Sequence, residues 1–241
     1  MTEVSRRGLM TAAAAFGAAH WAAPLAAQTA IPLVLTRAAS GRRAVALTFD
    51  DGPHPTLTPQ LLDILAAYGA RATFYVIGRN AARYPDILRR IAAEGHEIGN
   101  HTWSHPSLFG LGDRAMLSEL ERTNAAVRAA VGFDPQNVRP PYGNMYPRQS
   151  QVVFDALGMT TVLWSIDPLD WQRPGAGVVA NRILSASHAG AVVLSHDIHG
   201  PTVRAMPTVI EGLLAREYQL VQVSEIMGRG VWPAPGDLAR L

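Results

Sequence analysis

From Ala44 onward the chain alternates short apolar, β-branched runs with longer amphipathic stretches. The runs Ala44–Phe49, Ala72–Val76, His96–Gly99, Asn137–Arg139, Thr160–Trp164, Ala191–Ser195 and Gln219–Val223 have the length and composition of strands. Between them, Pro59–Tyr68, Pro85–Glu94, Asp113–Val131, Arg148–Leu157, Val178–Ser187 and Met206–Arg216 predict helices. The clearest periodicity is that of Asp113–Val131, where Met116, Leu117, Leu120, Val127 and Val131 fall near one face. Gly69, Gly95, Gly132 and Gly158 stand where helices end, as a left-handed cap prefers.

Repeated strand–helix alternation predicts a parallel sheet covered by helices, either closed as a barrel or left open. In both designs function collects in the loops after the C-terminal ends of strands. Here Asp50 and Asp51 follow the first strand, and His101 and His105 follow the third. Arg139 closes the fourth, Asp167 and Asp170 follow the fifth, and His196 follows the sixth. The residues with chemical potential therefore gather on one rim.

Composition narrows the chemistry. Hydrophobic residues at 48% and charged residues at 17% specify a folded chain, and 241 residues suffice for one core. A formal charge of +2 provides no concentrated field for phosphates, so nucleic acid is not an expected partner. All 21 Lys+Arg residues are arginine, which excludes Schiff-base lysines and phosphate-loop lysines. Cysteine is absent, so a metal would have to sit on His, Asp or Glu.

The first residues read as a targeting segment. Ser5-Arg6-Arg7-Gly8-Leu9-Met10 precedes an apolar, alanine-rich run to Ala23, and Pro24-Leu25-Ala26-Ala27 supplies a small-residue cleavage site. The expectation is a twin-arginine-like signal over residues 1–27 and an exported, periplasmic or secreted protein. An ordinary secretory signal is the alternative. Residues 28–43 are expected to form a short mature leader and 44–241 the domain, with no transmembrane anchor.

Each candidate motif also has a plain structural explanation. In Thr48-Phe49-Asp50-Asp51-Gly52-Pro53 two carboxylates meet a Gly-Pro turn, and an aspartate there can simply cap backbone amides. His101-Thr102-Trp103-Ser104-His105 spaces two imidazoles by four, which suits a shared metal. Two histidines and one carboxylate leave a coordination position open, as catalytic zinc sites do. Arg139-Pro140-Pro141-Tyr142-Gly143 holds a cation able to pair with a carboxylate, or is a surface turn. Asp167-Pro168-Leu169-Asp170-Trp171 offers two acids and an aromatic wall, and Leu194-Ser195-His196-Asp197 ends an apolar run in a polar pair. His96 reads as structural, and His54 and His199 as rim residues.

In this order these segments resemble the five motifs of the polysaccharide deacetylases, the NodB homology domain of carbohydrate esterase family four, over about Val45 to Met227. The resemblance implies a distorted, seven-stranded, TIM-barrel-like (β/α) barrel. It implies a divalent metal, Zn²⁺ with Co²⁺ or Ni²⁺ as alternatives, on Asp51, His101 and His105. Asp50 is then the general base, oriented by Arg139, and His196 the general acid, tuned by Asp170. The Tyr142 amide would stabilise an oxyanion, while Trp171 and Leu194 shape an acetyl pocket. The implied substrate is an N-acetylated glycan such as peptidoglycan, chitooligosaccharide or exopolysaccharide. An O-acetyl esterase, a non-haem iron oxygenase and an inactive carbohydrate-binding barrel remain alternatives, and the sequence leaves the oligomeric state open.

Overall fold

A computed structural model of the chain describes residues 33–38 and 43–232. The expected signal, residues 1–27, lies outside them. The described residues form eight strands, β1 Val34–Leu35, β2 Ala44–Asp50, β3 Thr73–Val76, β4 Glu97–Asn100, β5 Asn137–Val138, β6 Thr160–Val162, β7 Ala191–Val193 and β8 Gln219–Leu220. The helices are α1 Leu57–Ala67, α2 Gly78–Arg83, α3 Pro85–Ala93, α4 Asp113–Val131, α5 Pro147–Leu157, α6 Ala176–Ala186, α7 Gly200–Leu214 and α8 Val223–Ile226.

The strands pair in the order β1-β6-β5-β4-β3-β2-β7, with β8 also on β2. Every ladder is parallel. The sheet curls until its ends meet: Ile166, just past β6, bridges Val193 of β7, and Leu194 N donates to Ile166 O at 2.9 Å. At the other end of the same seam β1 pairs with β6, while Arg37 bridges Ala191. The result is the expected distorted barrel, and part of its seam comes from a segment read as leader. Val34 and Leu35 gave no sequence signal because two residues cannot show a period.

Alternation along each strand separates an outer from an inner layer. Val45, Leu47 and Phe49 of β2, with Phe74, Val76, Ile98, Ala191 and Val193, join the core beneath the helices. The intervening Ala46, Tyr75, Val162 and Val192 fill the barrel interior. All seven residues of β2 are buried, so its apolar run has no polar face. Near the N-terminal ends of the strands, buried Glu97 accepts from Thr73 Oγ1 at 2.9 Å, Asn137 Nδ2 at 2.7 Å and Ser224 N at 3.0 Å. That last bond turns the chain into α8 where the sequence predicted strand as far as Val223.

The predicted helices are present with small shifts, α4 with the predicted bounds and Gly132 as its left-handed cap. The exception is α7, expected from Met206 but starting at Gly200. Pro201 suits a first turn. Pro207 inside the helix forfeits one backbone bond, a loss outweighed by burial of Val203, Met206, Val209, Ile210 and Leu213. The six-residue α2 was missed because it is too short for periodicity.

Candidate active site

Even-numbered positions of β2 face the barrel axis, so Thr48 and Asp50 reach the interior where the strand ends. Asp50 is 3% exposed, and the charge it meets there is Arg139, which is 0% exposed. Arg139 Nη1 donates to Asp50 Oδ1 at 2.8 Å and to Thr48 Oγ1 at 2.6 Å. Its Nη2 donates to Leu163 O at 3.1 Å and its Nε to Val162 O at 3.3 Å. Its guanidinium lies over the Tyr75 ring, 4.1 Å from the centroid. A buried guanidinium is tolerated only with such complete pairing.

Asp51 follows with φ 74°, a left-handed conformation that turns it away from the β2 alternation. The succeeding Gly52 has no room for a side chain, since a Cβ would meet Asp197 Oδ2 at 2.5 Å. Asp51 Oδ1 lies 3.2 Å from His105 Nε2 and 3.5 Å from His101 Nε2. All three ligand atoms lie within 4.8 Å of one another. His101 Nδ1 sits 2.6 Å from Arg139 O, which can only accept. The ring proton is therefore on Nδ1, and the Nε2 lone pair faces Asp51. The 102–105 loop bends through left-handed Thr102 and His105, and His105 N donates to Thr102 Oγ1 at 3.1 Å. Glu119 of α4 holds the loop from outside by accepting from Trp103 N and Ser104 N.

Electrostatics suit a cation here. Burial pushes the Asp51 carboxyl up, but the imidazoles of His105, His101 and His196 beside it draw it down to about 2. Burial pushes His101 down despite Asp50 and Asp51 nearby, which favours the neutral imidazole a metal would need. Asp51 Oδ1 is buried without a hydrogen-bond donor although two imidazoles point at it. A divalent ion fits these three residues, since it would satisfy that oxygen and both lone pairs at once.

In the same cleft, His196 Nδ1 lies 2.8 Å from Asp170 Oδ1. Asp170 Oδ2 accepts from His196 N at 2.8 Å and Thr202 Oγ1 at 2.7 Å. Burial opposes charge on His196, yet the hydrogen bond and charge of Asp170, with Asp50 and Asp51 beyond, raise it to about 9. Its ring is an imidazolium at neutral pH, with Nδ1 engaged and Nε2 left for the cleft.

Asp50, Asp51, His101, His105, Tyr142, Trp171, Leu194 and His196 all line one cleft of about 470 Å³. Of the residues singled out from the sequence, Arg139 and Asp170 stand behind this lining, each holding a residue that is part of it. Tyr142 has φ 61°, and its ring meets His105 edge-on at 4.8 Å. His199 also lines the cleft, 5.7 Å from the His196 ring. His54 does not line it; its Nδ1 accepts from Thr56 N and Leu57 N at the start of α1, which makes it a helix cap. His96 is structural as expected, accepting from Ala72 N. The sequence reading gave no site role to Trp164, which lines the cleft, or to Thr202, and named Asp197 only as half of a polar pair. Asp197 accepts from Thr58 Oγ1, and burial pushes its carboxyl up to about 7 against that hydrogen bond.

The fold and this constellation define a class: a parallel α/β barrel with a candidate three-ligand metal site on its C-terminal rim. A profile of the family described as polysaccharide deacetylase matches residues 37–162. Peptidoglycan-N-acetylglucosamine deacetylase PgdA of Listeria monocytogenes is 35% identical over 190 residues, 79% of this chain and 40% of that protein. A chitooligosaccharide deacetylase of Bradyrhizobium sp. is 38% identical over 196 residues, 75% of this chain and 89% of that protein. The structure of peptidoglycan deacetylase PdaC from Bacillus subtilis superposes with a TM-score of 0.73 at 36% identity, covering 78% of this chain and 92% of that one. The chain belongs to the polysaccharide deacetylase family. It spans less than half the length of PgdA.

Proposed function

We propose that this chain is an exported, metal-dependent deacetylase that hydrolyses acetyl groups from N-acetylated amino-sugar glycans. The observation that carries the reading is the gathering, in one cleft, of the Asp51–His101–His105 trio and Asp50 with the His196–Asp170 pair. Amide hydrolysis needs a base for water and an acid for the amine, and candidates for both line the same cleft as the trio. The names of the relatives, peptidoglycan and chitooligosaccharide deacetylases, favour the same substrate class.

A divalent ion, Zn²⁺ with Co²⁺ or Ni²⁺ as alternatives, supplies Lewis acidity to the acetyl carbonyl and to the attacking water. Asp50 takes the proton of that water, and Arg139 fixes the carboxylate's direction. The Tyr142 backbone amide stabilises the oxyanion that develops on the carbonyl oxygen. His196 holds its proton at Nε2 and gives it to the departing nitrogen, with Asp170 and Thr202 fixing the ring. Acetate and a free amine result, with one water consumed. Trp171 and Leu194 shape an apolar wall for the acetyl methyl.

Export is inferred from the arginine pair and apolar run before Ala27, and no described helix is long and apolar enough to cross a membrane. A non-haem iron oxygenase shares the two-histidine, one-carboxylate pattern, but has no use for a histidine–aspartate pair held in the same cleft. The test is acetate release across peptidoglycan fragments, chitooligosaccharides, exopolysaccharide and acetylated xylan, with the free amines quantified in parallel. Equal amounts of acetate and amine support the reading. Acetate from xylan alone would reassign the chain as an O-acetyl esterase.

A further inference from the structure

Outside the catalytic cleft, the described surface carries a second aromatic feature. Phe109 and Tyr146 stack with ring centroids 4.4 Å apart and planes inclined by 29°, and they are 43% and 53% exposed. They line an open cleft of about 560 Å³ together with Leu111, Pro147 and the Asp113–Arg148 pair. Arg148 holds Asp113 through two bonds of 2.8 and 2.7 Å, so this rim is polar but carries no net charge.

Two loops connect the platform to the catalytic cleft along the chain. One carries His105 in the catalytic cleft and Phe109 on the platform, and the other carries Tyr142 and Tyr146 in the same way. Four residues of chain span about 14 Å at most, so the platform lies within a few sugar rings of the reacting acetyl. The loops are tied together. Asn144 Nδ2 donates to Ser107 Oγ at 3.3 Å, and buried Gln149 donates to Leu108 O at 2.8 Å and Leu111 O at 3.2 Å while accepting from Tyr146 N. The two rings are therefore held as a fixed surface.

We propose that Phe109 and Tyr146 form a sugar-binding platform for units of the glycan chain beyond the one being deacetylated. The inference rests on the deacetylase reading. Large exposed rings beside paired charges suit a ligand with an apolar ring face and neutral hydroxyls at its edge, which is the chemistry of a pyranose. A polyanion would find no net positive charge at the Asp113–Arg148 pair. The platform acts on chain length: it binds long substrates and leaves the chemical step untouched.

The experiment compares wild type with the Phe109→Ala/Tyr146→Ala double variant on N-acetylglucosamine oligomers from the disaccharide to the hexasaccharide, with an aryl acetate as the shortest substrate. Both side chains are exposed, and an unchanged thermal midpoint verifies the fold. The expected result is about a tenfold loss of kcat/KM on the hexasaccharide, through KM with kcat retained. The disaccharide and the aryl acetate should be hydrolysed at wild-type rates, and Tyr146→Phe should behave as wild type on every length. The same loss on every length, or none on the hexasaccharide, would overturn the platform. A wild-type enzyme that releases no acetate from any oligomer would instead overturn the deacetylase reading, and the platform with it.

Discussion

Arg139 Nη1 and Asp50 Oδ1 are 2.8 Å apart inside the barrel, and this pair joins the fold to the chemistry. Strand alternation brings Asp50 to the axis, and Arg139 arrives from the end of β5, three strands along the sheet, with its donors directed at Thr48, Asp50 and two carbonyls. Removing one partner leaves the other charge buried and unpaired. Arg139→Ala should therefore destabilise the protein by about 3–5 kcal/mol. Urea unfolding with an unchanged m-value would measure this, and a loss below about 1 kcal/mol would mean that water reaches Asp50.

Asp51→Ala, His101→Ala and His105→Ala should each lose metal and activity together, because each removes one of three ligands. Stoichiometric metal retained by any of them, measured by elemental analysis after gel filtration, would remove that residue from the ligand set.

Asp50→Asn should behave differently. Its amide keeps the shape of the carboxylate and leaves the trio intact, but it cannot accept a proton from water. Metal content should stay at the wild-type level while kcat falls about 10²- to 10⁴-fold. Near wild-type turnover would place the base elsewhere.

His196 should control the basic limb of the pH profile. Its folded pKa is raised to about 9, so it carries the proton below that pH and loses it above. Rates on N-acetyl substrates should accordingly decline as pH rises through about 9. The stabilisation from the His196–Asp170 pair has the same sign, being complete below the unfolded histidine pKa and lost as pH rises through the folded one. Asp170→Asn removes the hydrogen bond and charge that raise His196 and should move the limb to lower pH. A limb that stays in place in this variant would detach it from His196.

The leaving group supplies an independent check on the same residue. An amine departs poorly without a proton, whereas an aryl acetate releases a stable phenolate. His196→Ala should lose about 10²- to 10⁴-fold on N-acetylglucosamine oligomers and far less on the aryl ester. Equal losses would assign His196 to holding the site together.

Much of this architecture is legible in the sequence because the central strands are buried on both faces and read as continuous apolar runs. Asp50 and His196 are legible for a related reason, each closing such a run abruptly with a polar residue, and His101 is legible from its spacing of four from His105. Val34 and Leu35 were not legible, since their place in the sheet depends on β6, more than a hundred residues later. Thr202 was missed because its bond to Asp170 joins residues 32 positions apart and leaves no local pattern. Trp164 was read as the last residue of a strand, but the ladder of β6 stops at Val162 and the indole turns to the cleft instead. His54 sits in the loop after β2 as read, but the sequence leaves open whether a histidine beside Gly-Pro faces substrate or, as here, caps α1.

The most direct test of the central claim is acetate release from N-acetylglucosamine oligomers by protein stripped with a chelator and then titrated with Zn²⁺, Co²⁺ or Ni²⁺. The account predicts no acetate from the stripped protein and activity that rises to a plateau at one ion per chain, with one free amine formed for each acetate. Undiminished release after complete removal of metal, or no release on any N-acetylated oligomer with one ion bound, would contradict it.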